Sequence, residues 1–202
     1  MRIDRLKKWT CLILIAAFLP AFACKETATE AAREKSVLIN EVVSSNKRSL
    51  VDENVGSPDW VELYNPTSEA VSLSGYGISD SMRNLHKYVF EEGVSIAPGA
   101  YLVIYCGDNS GVTKTDVPCT GFGLSKSGDY LFLTDEFYGL IQQLEIPALY
   151  TDVSYARRED GAFGYCASPT PGAANTEPIV SALIYLFAEN GSASLRISEV
   201  MH

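Results

Sequence analysis

The groups in this chain that could hold chemistry are few: two histidines, five cysteines and a handful of serines at glycine-rich turns. His86 lies in Asn84-Leu85-His86-Lys87, and His202 is the last residue given. A hydrolytic triad would need His86 to meet a serine and a carboxylate, and a lone histidine at a polar turn is far more often a surface group than a base. Gly123-Leu124-Ser125-Lys126-Ser127-Gly128 approaches a nucleophile elbow. Ser127, however, stands where the second glycine is required and no helical pattern follows, so the segment reads as a polar turn. Zinc on Cys106, Cys119, Cys166 and His86 would need tighter ligand spacing. Calcium on Asp52, Glu53 and Asp59 has suitable hard oxygens but no EF-hand order. The chain is therefore read as non-enzymatic, with no catalytic residue, metal or cofactor assigned.

The elements around these groups are strands. Asp59-Trp60-Val61-Glu62-Leu63-Tyr64-Asn65-Pro66 alternates, with Val61 and Leu63 on one face and Trp60, Glu62 and Tyr64 on the other. It stops at Asn-Pro, because proline locks φ and disfavours a helical residue before it. Val37 to Val43 and Val71 to Tyr76 are further β-type runs. Lys87 to Phe90, Val94 to Ile96, Tyr101 to Cys106, Tyr130 to Thr134, Leu140 to Leu144 and Asp152 to Tyr155 follow. Tyr101 to Cys106 is apolar on both faces, as in a central strand. No convincing amphipathic helix occurs over 37–175, and short strands at this spacing predict an all-β sandwich or barrel. About 140 residues suffice to bury roughly two-thirds of the unfolded surface. Ala97-Pro98-Gly99 reads as a turn, and Gly75 and Gly128 are placed where strands reverse with φ > 0. Asp59 and Asn65 would bind turn backbone groups at the two ends of their strand. Trp60, Tyr64 and Tyr76 could form a stacking platform, but core or rim is the commoner use of such rings.

Residues 1–23 have the form of a signal peptide: a basic start at Arg2, Arg5, Lys7 and Lys8, an apolar centre from Cys11 to Phe18, and Ala21-Phe22-Ala23 before a cut. Cys24 follows. Either it is the lipidated first residue of a membrane-anchored lipoprotein, or Ala-x-Ala is cut and the protein is freely secreted. Ala21 stands where a bacterial lipobox usually has leucine. The cysteine at the cut and the polar tether after it, residues 24–36, still favour a cell-surface lipoprotein. The signal carries four Lys/Arg and one Asp, so the chain's −9 becomes −12 once it is removed. A surface this acidic disfavours nucleic acid and anionic lipid heads. In an oxidising compartment, a Cys106–Cys119 disulfide would close a short loop worth roughly 3 kcal/mol. The alternative is three reduced, partly buried thiols, and spacing does not choose between the two.

Residues 169–178 form a Pro/Gly/Ala boundary, and 176–194 a linker whose apolar stretch from Ile179 could be strand or helix. Leu195-Arg196-Ile197-Ser198-Glu199-Val200 repeats the order of Val37-Leu38-Ile39-Asn40-Glu41-Val42. Residues 195–202 are therefore expected to open a second, truncated repeat.

Ile39-Asn40-Glu41-Val42, Asp59 to Pro66, Leu73-Ser74-Gly75-Tyr76, Leu124 to Asp129 with Leu131 to Asp135, and Pro169-Thr170-Pro171-Gly172-Ala173-Ala174-Asn175 together resemble a lamin tail domain of the bacterial exported type. The resemblance covers nearly all of 37–175 and implies an immunoglobulin-like β-sandwich without catalysis. The three cysteines and the segment joining Cys106 to Cys119 depart from the motif. The function expected is an exported interaction, adhesion or spacer module, with an unidentified protein or glycan partner at the cell envelope. Loops 44–57 and 107–118 are its natural contact surfaces. The alternative is the accessory N-terminal domain of a larger exported hydrolase, nuclease or kinase-like protein with catalysis beyond His202.

Overall fold

A computed structural model describes residues 36–107, 116–176 and 179–182. The signal peptide, Cys24, most of the tether, residues 108–115 of the second contact loop and the repeat at 195–202 lie outside the described residues. The described chain forms twelve strands: β1 Leu38–Val43, β2 Asp59–Tyr64, β3 Val71–Ser72, β4 Gly77–Ser79, β5 Tyr88–Val89, β6 Ser95–Ile96, β7 Tyr101–Cys106, β8 Asp129–Thr134, β9 Leu140–Ile146, β10 Ser154–Arg157, β11 Phe163–Cys166 and β12 Ile179–Val180.

Six strands make one sheet in the order β12-β11-β10-β1-β2-β7, and four make another, β5-β4-β8-β9. The pairing of these strands is antiparallel throughout. The core lies between the sheets. Ile39, Val61, Leu63 and Ile104 come from the larger sheet, Ile78, Leu131, Leu133 and Leu144 from the smaller, and Ile96 from the two-stranded β3–β6 pair. This is the all-β, immunoglobulin-like sandwich that the strand pattern predicts. Gly75 and Gly128 take φ of 78° and 113°, as their turns require. Asn65 closes β2 as expected: its amide donates to the carbonyls of Glu69 and Ile96 at 2.8 Å, and its oxygen accepts from the Thr67 amide.

Three expectations need correction. Val71 to Tyr76 is strand only at Val71–Ser72, and the unexpected β4, Gly77–Ser79, starts beyond it. Tyr101–Cys106 is not a central strand: β7 is the edge of its sheet. Both of its faces are apolar because a loop layer covers the outer one. Residues 118–120 run parallel along its end, with Tyr105 N donating to Pro118 O and Thr120 N to Tyr105 O. Of the two alternatives left open for the cysteines, the structure has Cys106 as a thiol. Cys106 points into the core, whereas Cys119 packs on the opposite side of β7 with Trp60 and Tyr105. β11 was missed, since Phe163-Gly164-Tyr165-Cys166 is short and interrupted by glycine. Gly164 is required there: a Cβ would lie 2.7 Å from Val180 O and 2.8 Å from Ile179 Cγ2. It admits β12, which settles Ile179–Val180 as strand.

Candidate functional site

The groups singled out for chemistry are dispersed. His86 lies on the outer side of the four-stranded sheet, where Gly77 leaves room for its ring. It is half-buried rather than exposed, with Nε2 3.1 Å from Asp135 O and its ring stacked 3.7 Å from that of Tyr138. Ser125 is a turn residue: its amide donates to Asp129 and its hydroxyl accepts from the Ser127 amide. Cys166 sits with Ala156 and Ile179, apart from Cys106 and Cys119. Asp52 and Asp59 hold loops. Asp52 accepts from the Asn54 and Val55 amides and from the Tyr105 hydroxyl, and Asp59 accepts from the Asn46 amide. Trp60 and Tyr76 do not share a platform. Trp60 is fully buried on the outer side of the larger sheet, with Nε1 donating to Ser49, and Tyr76 packs against the sandwich core.

The structure instead assembles a site that the chemical inventory overlooked. β1 and β2 pair Ile39 with Leu63 and then Glu41 with Glu62, so Asn40 is an extra residue in a bulge. A bulge shifts the phase of a strand by one residue. Ile39 and Val42 both reach the core, while Glu41 turns outward beside Glu62. Both glutamates are nevertheless fully buried, because residues 169–175 lie across them as a strap. Glu41 Oε1 accepts from the Ser154 hydroxyl, and Oε2 from the Thr170 amide and hydroxyl at 3.0 and 3.2 Å. Glu62 Oε1 accepts from Asn40 Nδ2 at 2.8 Å and Oε2 from the Gly172 amide. Asn175 completes the seam, donating through Nδ2 to Asn40 O and to Arg157 O and accepting through Oδ1 from Asn40 Nδ2.

The donors to these two carboxylates are neutral. Burial raises the affinity of Glu41 for a proton, opposed by its bonds from Ser154 and Thr170. Burial raises the pKa of Glu62 to about 7; the Gly172 and Asn40 bonds oppose the shift and the Glu41 charge adds to it. A sequence signal for this site was present. Asn40-Glu41, two polar residues between the core residues Ile39 and Val42, breaks the two-residue alternation as a bulge must.

Beyond the strap, the outer face of the larger sheet is covered at both ends. Val43, Trp60 and Tyr105 pack under Leu50, Val55, Val117 and Cys119. Loop 44–57, expected as a contact surface, thus contributes a lid. Asn46 pins it, donating through Nδ2 to Leu50 O and Pro58 O and accepting through Oδ1 from the Ser49 amide. At the other end Ala156, Cys166 and Ile179 form a small cluster. The outer side of the smaller sheet presents Val89, Tyr130 and Leu140, with Phe137 and Tyr138 on the β8–β9 hairpin, all exposed.

Comparison with known proteins returns the lamin tail domain model, matching residues 30–147. No curated protein matches the chain. The match ends just after β9, yet β10 pairs with the central β1, so the folded unit continues past the matched segment. The family is an immunoglobulin-like, non-catalytic one, and its match spans more than half of these 202 residues; the chain belongs to the lamin tail domain family.

Proposed function

We propose that this protein is a non-catalytic interaction module of an exported, cell-surface protein, lipid-anchored through Cys24 and binding a protein or glycan of the envelope. One observation carries the reading. Buried Glu41 and Glu62 fasten a loop, while among the described residues three of the four large exposed aromatic side chains, Tyr130, Phe137 and Tyr138, lie on the outer side of the smaller sheet and its hairpin, Tyr150 standing apart in the β9–β10 connection. Tyr138 holds φ of 65° at a hairpin position where glycine is the unstrained choice. Its neighbour Phe137 is 82% exposed. Aromatic side chains displayed on a rigid hairpin give contact area at small entropic cost.

The test is binding of the purified chain to a glycan array and to washed envelope fractions, alongside a Phe137→Ser/Tyr138→Ser double variant. Saturable binding that the variant loses supports an adhesive module. Equal binding by the variant, or none by either protein, removes the aromatic face from the reading. The second reading, an accessory domain of a larger exported enzyme, is separated by the full-length gene: a catalytic module downstream favours it.

A further inference from the structure

We infer that residues 169–175 form a proton-controlled latch, seated on the six-stranded sheet while the Glu41–Glu62 pair holds a proton and loosened when both carboxylates are charged. The geometry is that of a fastener with two anionic receptors side by side. Glu41 and Glu62 are register partners on adjacent strands, fully buried, and the strap reaches them through the Thr170 and Gly172 amides.

Among the described residues, the groups facing the pair offer no cation. β1 supplies Asn40, β10 supplies Ser154 and Ala156, and the strap supplies Thr170, Gly172 and Asn175. β7 places Val103 opposite Glu62 and Tyr101 within its field, a phenol that burial pushes further above its ordinary pKa and that carries no charge in this range. Arg157 of β10 directs its guanidinium elsewhere, to Ile39 O, to Gly161 O and over the Phe163 ring. Two like charges in a dry site without a counter-ion favour taking up one proton. The site can accommodate that proton. Rotating the Asn40 carboxamide by half a turn presents Oδ1 to a protonated Glu62, which then donates where it formerly accepted, at the cost of the side-chain bonds between Asn40 and Asn175. The Gly172 amide keeps its acceptor on the other carboxyl oxygen.

The direction follows from linkage. Glu62 binds its proton more tightly with the strap seated, pKa about 7, than at the exposed-group value of 4.5. Seating is therefore strongest below pH 4.5, weakens about tenfold per pH unit up to about 7, and is flat above. The readout is amide hydrogen exchange of the full chain, corrected for the intrinsic pH dependence of exchange. Protection of the Thr170 and Gly172 amides is expected to fall about a hundredfold between pH 5 and pH 8, while Val61 and Ile104 in the sheet interior hold theirs. In Glu62→Gln most of the dependence is expected to vanish, with Glu41 keeping the remainder. Flat protection in the natural chain, or an unchanged slope in Glu62→Gln, overturns the latch. Should Glu62→Gln fail to fold, carboxyl-carbon NMR of the natural chain decides: a Glu41 or Glu62 titration at or above pH 6 supports it, and both below pH 6 overturn it.

Discussion

The two outer faces of this sandwich use similar side chains to opposite ends. On the larger sheet, Trp60, Tyr105 and two glutamates are covered by loops 46–58 and 116–120 and by the 169–175 strap. On the smaller sheet, Tyr130, Phe137 and Tyr138 stay exposed. Amino-acid type therefore does not decide which face is covered. The decision lies with small polar residues (Asn46, Asp59, Asn40, Asn175), whose side chains give each loop a place to bind. The smaller sheet's hairpin closes on its own Asp135, which accepts the Phe137 and Gly139 amides.

The largest expected effect tests the covered end. Trp60→Ala removes a fully buried ring and should cost about 3–5 kcal/mol in urea unfolding. Phe137→Ala on the open hairpin should change stability by less than about 0.5 kcal/mol. Comparable losses from the two would erase the distinction between the faces.

Next in size is the dependence of global stability on pH. Glu62 has its pKa raised by burial from 4.5 to about 7, so its contribution is complete below pH 4.5 and is lost as pH rises through about 7. Burial shifts Glu41 the same way. A rise from pH 5 to pH 8 should therefore lower unfolding free energy by roughly 3 kcal/mol, and Glu62→Gln should remove most of that slope. Asp52 and Asp152 have lowered values, the former chiefly through the Asn54 amide and the latter through the Lys47 and Arg48 amides acting against burial. Their contributions are lost only in more acidic solution, outside this window.

Gly164→Ala sharpens the account at the far edge. With Val180 O 2.7 Å from the new methyl group, β12 must move, at a cost of about 1–3 kcal/mol. Loss of amide protection at Val180 would report it. The smallest effect belongs to Tyr138→Gly. Glycine relieves the strain of φ 65°, roughly 1 kcal/mol, but loses the stack on His86, worth about as much. Thermal denaturation should shift by only a degree or two in either direction.

What could be read from the residues divides along a physical line. Local alternation and turn chemistry are written in neighbouring residues, so β1, β2, β7, β8 and β9 and the turns at Asn65, Gly75 and Gly128 were legible. Which strand lies at an edge depends on contacts distant in the chain. Tyr101–Cys106 therefore read as central, although loop cover rather than sheet position makes it apolar on both sides. Spacing left the state of Cys106 and Cys119 open, and their placement in separate clusters on the two sides of β7 could not be read from it. The glutamate seam joins residues 110 to 135 positions apart. Its pieces were visible as motifs, but their contact was not. Phe163–Cys166 failed as a strand because its glycine serves the neighbouring β12 rather than its own pattern.

The central claim, that loops seal Trp60 and Tyr105 on the larger sheet while Tyr130, Phe137 and Tyr138 on the smaller stay exposed, is tested most directly by hydroxyl-radical footprinting of the folded full chain with mass-spectrometric readout. Phe137, Tyr138 and Tyr130 should be oxidised rapidly, and Trp60 and Tyr105 only after unfolding in urea. Oxidation of Trp60 at the rate of Tyr138 in the native protein would contradict the account.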